Sequence, residues 1–278
     1  MKTKIYLFSR IVSIVLLFTI MACGNKKQEK ITEVENKVTP VSDTKTSSLP
    51  QNESPTSDLN KAKEEGKVVF LVVTGAGASG MEKTATIVKE ANDKVKNSLI
   101  VQLNKDEAKN SDLVKKFQIG TVPVPFILVI SPNGIPVAGA PSAQVTSDQL
   151  VKTIPTPKQD EVFLAINEKK PVMIVVSRND FSDKKKTISN CTSAGSKTNT
   201  KPVIIQIDFD DFNEKSFLTQ LGITNINGKT VTVVINSSVQ ITETFTDVPK
   251  VENLTAAANK IIQNKGCSPG GCAPSGCN

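Results

Sequence analysis

The chain has no histidine and no tryptophan, and its one tyrosine, Tyr6, falls within the first ten residues. Without imidazole there can be no Ser/His or Cys/His nucleophile pair, no His-ligated zinc and no haem attachment of the Cys-x-x-Cys-His kind. Arginine is nearly as scarce, with Arg10 and Arg178 the only two among 34 basic side chains. Clamps for phosphate or nucleic acid favour planar, bidentate guanidinium. The lysines therefore read as solubilising surface, and no nucleic-acid partner is expected. Long apolar runs are missing too: none approaches the ~18 residues of a spanning helix. At 278 residues the chain has room for one large domain or two of about 100 residues, each able to bury a core.

The amino end is rich in what the rest lacks. Lys2, Lys4 and Arg10 stand there without an acid, residues 11–20 are apolar, and Ile20-Met21-Ala22-Cys23 follows. A basic segment, a short apolar segment and a small residue before the cut describe an export signal over residues 1–22. "LLFTIMAC" resembles a bacterial lipobox, which implies a diacylated Cys23 as lipid attachment site and new amino terminus. Multiple acyl chains, at about 0.8 kcal/mol per buried methylene, would anchor the chain durably to a membrane. Gly24 replaces the Asp that retains enteric lipoproteins at the inner membrane, so a periplasm-facing outer-membrane location is favoured where the cell envelope has one. Loss of residues 1–22 lowers the excess of basic over acidic side chains from seven to four.

Residues 23–58 are polar and rich in Ser, Thr, Lys, Glu and Pro. They carry too little apolar surface to fold and read as a flexible tether with a coil dimension of about 30–35 Å. Beyond it the sequence repeats. "SLIVQLNKDEAKNSDLVKKFQI" (98–119) lies over "PVIIQIDFDDFNEKSFLTQLGI" (202–223) without a gap, at an offset of 104. "AKEEGKVVFLVV" (62–73) matches "AINEKKPVMIVV" (165–176) at an offset of 103, and "FILVISPNGIPV" (126–137) corresponds to "TVTVVINSSVQI" (230–241). Each copy predicts a short helix, a buried strand (68–73; 171–176), a helix (near 80–95; near 179–192) and a second strand (99–103; 203–207). A helix with Leu113 and Phe117, or Phe217 and Leu221, at i, i+4 comes next. Two runs around Pro132-Asn133-Gly134 or Asn236-Ser237-Ser238 then read as an antiparallel hairpin, and a last helix (146–154; 252–263) closes each copy.

That order is similar to the thioredoxin-like superfamily, and local stretches carry the resemblance further. "KAKEEGKVVFLVV" resembles the first helix and core strand of exported members. "KKFQIGTVPVPFILVISPNG" resembles their later segment, in which a cis-proline precedes a strand. Counting back from Gly134 favours Pro125 as that proline; counting forward from Phe117 gives Pro123. The implied architecture is α/β, two tandem thioredoxin-like domains at 59–155 and 156–264, each a central mixed sheet flanked by helices. A Cys/Gly/Pro-rich tail occupies 265–278.

The stretch "VVFLVVTGAGASGMEKTATIVKEA" (68–91) contains Gly-x-Gly-x-x-Gly between a strand and a helix, which is the dinucleotide fingerprint. NAD is nevertheless not expected. A ribose-binding acid belongs about 20 residues further on, whereas Asn104 closes the second strand and Asp106 comes later still. In the thioredoxin-like family a redox Cys-x-x-Cys-Lys occupies this junction. The resemblance places Ser79 at the attacking cysteine and Glu82 at the resolving one, with Lys83 retained. No disulfide can form there. Ser-x-x-Glu instead reads as a capping box for the helix, with anion or peptide binding at the loop as the alternative. The second copy has no Cys here either, and Asn227 and Lys229 stand at the places of the two candidate prolines. Its acids Asp208, Asp210, Asp211 and Glu214 lack the EF-hand order and read as acids opening a helix.

The chain ends "GCSPGGCAPSGCN", with Cys267, Cys272 and Cys277 five residues apart in a Gly/Pro/Ser setting. With Cys191 these are the thiols left beyond Cys23. Structural disulfides, capture of copper or zinc by thiolates, and a redox or intermolecular tether are all open to them. The expected function is non-enzymatic: a membrane-anchored binding or scaffold module for an envelope protein or peptide. The alternative is thiol–disulfide or soft-metal handling by the tail.

Overall fold

The computed structural model describes residues 54–262. The segment expected as an export signal, Cys23, nearly all of the expected tether and the tail with Cys267, Cys272 and Cys277 lie outside the described residues. The chain divides into two compact units between Pro155 and Thr156.

Unit 1 opens with α1 (Pro55–Glu64), four residues inside the stretch expected as tether. Ser54 accepts from the Ser57 N–H and Pro55 takes the first helical position, which is enough to start a helix in polar sequence. There follow β1 (Val68–Thr74), α2 (Met81–Lys94), β2 (Ser98–Asn104), α3 (Ser111–Phe117), β3 (Phe126–Ile130), β4 (Pro136–Pro141) and α4 (Ser147–Lys152). The sheet runs β2-β1-β3-β4, with β1 parallel to β2 and antiparallel to β3, and β4 antiparallel to β3. Every residue of β1 is buried because helices cover both sheet faces, which is why the strand is a continuous apolar run. Phe70 and Val72 meet Ala85 and Val88 of α2 and Leu150 of α4. Leu71 and Val73 meet Ala62 of α1, Leu113 of α3 and Ile119.

Unit 2 repeats the plan with α5 (Pro157–Asn167), β5 (Val172–Ser177), α6 (Lys184–Gly195), β6 (Val203–Asp208), α7 (Lys215–Gln220), β7 (Val231–Ile235), β8 (Ile241–Phe245) and α8 (Val251–Asn259). Its sheet order, β6-β5-β7-β8, is the same. Ile174 and Val176 pack on Val162 and Ala165 of α5 and on Phe217 and Leu218 of α7. Met173 and Val175 pack on Cys191, Ala194 and Leu254 on the opposite face. Each unit thus has the thioredoxin-like arrangement, a parallel pair extended by an antiparallel hairpin between two helical layers. No helix among the described residues is long and apolar enough to cross a membrane.

Strand pairing refines the repeat. Val69 lies opposite Leu99 and Ile130, and Val172 opposite Val203 and Ile235. The offsets of 103 and 104 hold for the parallel strands, but Ile130 corresponds to Ile235, an offset of 105 in the hairpin. The register irregularities, between Val129 and Ile130 and between Val234 and Ile235, agree with this shift. The sequence match missed it because strands buried on both faces lack the polar alternation that would fix their register. Thr230, rather than Asn227 or Lys229, therefore stands in the place of Pro125. Two helix limits also differ from the pattern: α6 starts at Lys184 rather than near 179, and α8 ends at Asn259. Side chains explain the second limit. Asn236 Nδ2 donates to the Lys260 carbonyl, and the Gln240 amide pairs with both the N–H and the carbonyl of Ile262, so residues 260–262 bond to the hairpin turn.

Candidate functional site

The glycine-rich junction singled out in the sequence lies where β1 gives way to α2. Here the expected capping box is not formed. Gly80 is the N-cap, in the left-handed region (φ 73°, ψ 28°), and no side chain caps the helix. An N-cap side chain reaches the second or third helical N–H from an extended backbone. Gly80 has no side chain, and Ser79 lies one residue too early. Ser79, Glu82 and Lys83 are all exposed, and no hydrogen bond from the side chain of Ser79 or Glu82 is present among the described residues. Capping boxes do form at Thr146/Gln149 and Thr156/Gln159. Their Thr-x-x-Gln spacing was a readable signal that the sequence reading passed over.

The glycine loop is closed by Asp106. Its Oδ2 accepts from the Ala76 N–H at 2.6 Å, and a Cβ on Gly75 would lie 2.6 Å from the same oxygen. Gly75 is thus required by close approach of a carboxylate. The Ala76 N–H, followed by Lys105, holds the Asp106 carboxyl below its usual range. A depressed carboxylate stabilises the fold above its unfolded value of about 3.9 and loses that contribution as pH falls through the folded value. Between neutral pH and pH ~5 the loop should be unchanged; as pH falls below the ordinary carboxylate range the Ala76 amide should lose protection, measured as its deuterium exchange relative to the intrinsic rate at the same pH, while β1 amides stay protected. Unit 2 makes the corresponding contact differently. Arg178 stands where unit 1 has Gly75, and its Nε lies 3.1 Å from Asp210, the counterpart of Asp106. The guanidinium also sits 5.4 Å from the Phe209 ring centre. The only arginine of the described residues is a loop clamp.

The Val124–Pro125 peptide is cis; Pro125 is buried and Pro123 exposed. Two bonds tie this segment to the first turn of α2. The Ser142 N–H donates to the Pro125 carbonyl at 3.0 Å, and Ser142 Oγ lies 2.8 Å from the buried Thr84 hydroxyl, which also donates to the Gly80 carbonyl at 3.0 Å. The junction loop and the proline segment therefore share one polar seam under the surface. In unit 2 the link is direct. Asp183, the N-cap of α6, accepts from the Thr230 N–H at 3.0 Å and from the Thr230 hydroxyl at 2.6 Å. Thr230 Oγ1 lies 3.0 Å from Ser177 Oγ at the end of β5. Asp183 is held by the hairpin, Asn179 by Asp208 and Arg178 by Asp210, which keeps residues 178–183 out of the helix.

The acids at 208–214 do not act together. Asp211 caps the turn Phe212–Glu214. Glu214 is 1% exposed and reaches another element: it accepts from the Thr156 hydroxyl at 2.5 Å and the Lys158 N–H at 3.0 Å at the start of α5. Among the described residues no group of three or more Cys, Asp or Glu is placed to hold a metal ion. Cys191 is a free thiol in the core, wholly buried, and burial pushes it up to about 11. With residues 23, 267, 272 and 277 changed to Ser, the folded protein should resist iodoacetamide at pH 8 and react fully in urea. Because the folded thiol titrates higher than the unfolded one, unit 2 should lose stability as pH rises from about 9 towards 11.

No protein-family model matches the chain, and no curated protein matches it. Among solved structures, it is similar to the first two thioredoxin domains of Saccharomyces cerevisiae Eps1p, at 12% identity over 77% of this chain and 98% of that one, with a TM-score of 0.30. Form II of human ERp44 matches at 10% identity over 78% and 58% of the two chains, TM-score 0.34. DsbH oxidoreductase matches at 12% over 42% and 90%, TM-score 0.26. At this level the likeness adds nothing to what strand order and register establish.

Proposed function

We propose that the protein is an exported lipoprotein, held in the bacterial cell envelope by acylated Cys23, whose two thioredoxin-like units are redox-inactive and serve as a protein- or peptide-binding scaffold. One observation carries the reading. The strand–helix junction and the proline segment are built and tied together as a working site would need, while the places of the thiol pair hold exposed Ser79 and Glu82. The thiol within the fold, Cys191, is sealed in the core. The Asp106 carboxylate on Ala76 puts negative charge where a dinucleotide pyrophosphate would lie, which supports the exclusion of NAD. No metal or organic cofactor belongs to this reading; copper or zinc enters only through the tail thiols.

Insulin reduction tests it, run on the wild type and on a variant with Cys267, Cys272 and Cys277 changed to Ser. Neither protein should accelerate reduction. Turnover by the wild type that the variant loses would move the function to the tail and overturn the scaffold reading. About one copper or zinc per chain after purification under reducing conditions would do the same. Cys23→Ala should shift the protein from the membrane fraction to the soluble fraction, and a pull-down from solubilised membranes should recover an envelope partner.

A further inference from the structure

The sheet of unit 2 ends at β6, and the outer side of that strand offers backbone groups for pairing. The Val203 N–H donates to the Pro171 carbonyl and the Phe209 N–H to the Ser177 carbonyl. The odd-numbered residues of β6 therefore bond to β5, and the even-numbered ones turn their N–H and C=O groups away from it. The N–H groups of Ile204, Gln206 and Asp208 have no acceptor among the described residues. Gln206 is exposed, and no charge, proline or bulge interrupts the strand between Pro202 and Asp208. Folded proteins commonly blunt an open edge with one of those devices. Here the two ends carry opposite charge instead: exposed Lys201 precedes the strand, and Asp208 and Asp210 close it. Unit 1 lacks this pattern, with Asn97 in the place of Lys201 and Asn104 in the place of Asp208. Phe212, 83% exposed, follows the acidic end.

We propose that β6 is a self-association edge, on which a second copy of this chain pairs antiparallel about a two-fold axis at Ile205. In that register Ile204 of one copy lies opposite Gln206 of the other, and the two exchange N–H···O=C bonds in both directions. The two-fold axis makes the same set of bonds twice. Lys201 of each copy comes to the Asp208 and Asp210 end of the other, so complementary charge favours the antiparallel arrangement. A parallel one would set like charges side by side. Pairing joins two four-stranded sheets edge to edge. The contact is one strand wide, so it belongs with small, transient interfaces, and a weak, concentration-dependent dimer is expected. This association is independent of the binding reading above.

The test uses the full chain with residues 23, 267, 272 and 277 changed to Ser, so that neither acyl groups nor tail disulfides join copies. Sedimentation and amide exchange would be followed from about 1 μM to about 1 mM, the range in which a small interface titrates. The Ile204 and Gln206 amides are expected to slow about tenfold or more at the concentrated end, while Ile100, the counterpart of Ile204 in unit 1, does not change. Lys201→Glu sets like charge against the acids at both ends and should weaken the dimer about tenfold, with β5 amides as protected as before. A monomer at every concentration would overturn the proposal, as would a dimer in which the Ile204 and Gln206 amides stay as fast as in the monomer. A Lys201→Glu dimer as tight as the parent would overturn the antiparallel arrangement, and the proposal with it.

Discussion

Asp183→Ala is expected to destabilise unit 2 by about 2–4 kcal/mol, because it leaves two donors of a fully buried residue without their acceptor. Thr230 is 0% exposed, so both of its donors depend on the Asp183 carboxylate for an acceptor. The Thr230 hydroxyl keeps Ser177 Oγ within reach; its backbone N–H keeps nothing. Native-state amide exchange reads the effect unit by unit. Amides of β5 and β7 should exchange faster in the variant, and those of β1 and β3 should not change. Asp183→Asn retains one acceptor oxygen and should lose roughly half as much. If alanine costs no more than a few tenths of a kcal/mol, as exposed surface substitutions do, the carboxylate is not what holds the hairpin to the helix.

That lock was invisible in the sequence for a definite reason. Asp183 and Thr230 are 47 residues apart, and their pairing depends on the hairpin register. The apolar runs 126–130 and 231–235 announced strands, yet buried on both faces they carried no alternation to fix which residue meets which. A one-residue slip put Lys229 opposite the place of Pro125 and hid Thr230. By contrast, element order, the duplication and the parallel strands were legible, since Phe70/Val72 and Leu71/Val73 must each find a helical layer and the intervening helices supply it. The glycine loop was legible as a turn but not in its cause. Gly75 answers to Asp106, 31 positions along the chain, and the helix start moved one residue past Ser79 because Gly80 took the left-handed conformation. Short-range capping rules describe ends whose partners are local, and this one is not.

Glu214→Ala should cost unit 2 about 2–4 kcal/mol, because of where the side chain goes. In "DFDDFNEK" Glu214 reads as one of several acids at the head of its own helix. The fold instead aims it at the first turn of α5, where the Lys158 N–H is one of the donors that no intrahelical bond can satisfy. Thr156 serves the next one, Gln159 N–H, at 3.2 Å, so the two side chains divide the work of a cap between a residue in sequence and one 56 positions away. Negative charge at a helix start is also favoured by the macrodipole, and a site 1% exposed is little screened. Alanine removes both contributions and leaves the half-buried Lys158 N–H without its acceptor. Glutamine keeps the acceptor and lets the Thr156 hydroxyl rotate to accept, so it should cost only about 1 kcal/mol. Urea unfolding followed by exchange at the Lys158 and Gln159 amides separates the two variants. Equal losses would show that shape alone matters there, whereas a loss confined to alanine assigns the first turn of α5 to an acceptor delivered from the turn that precedes α7.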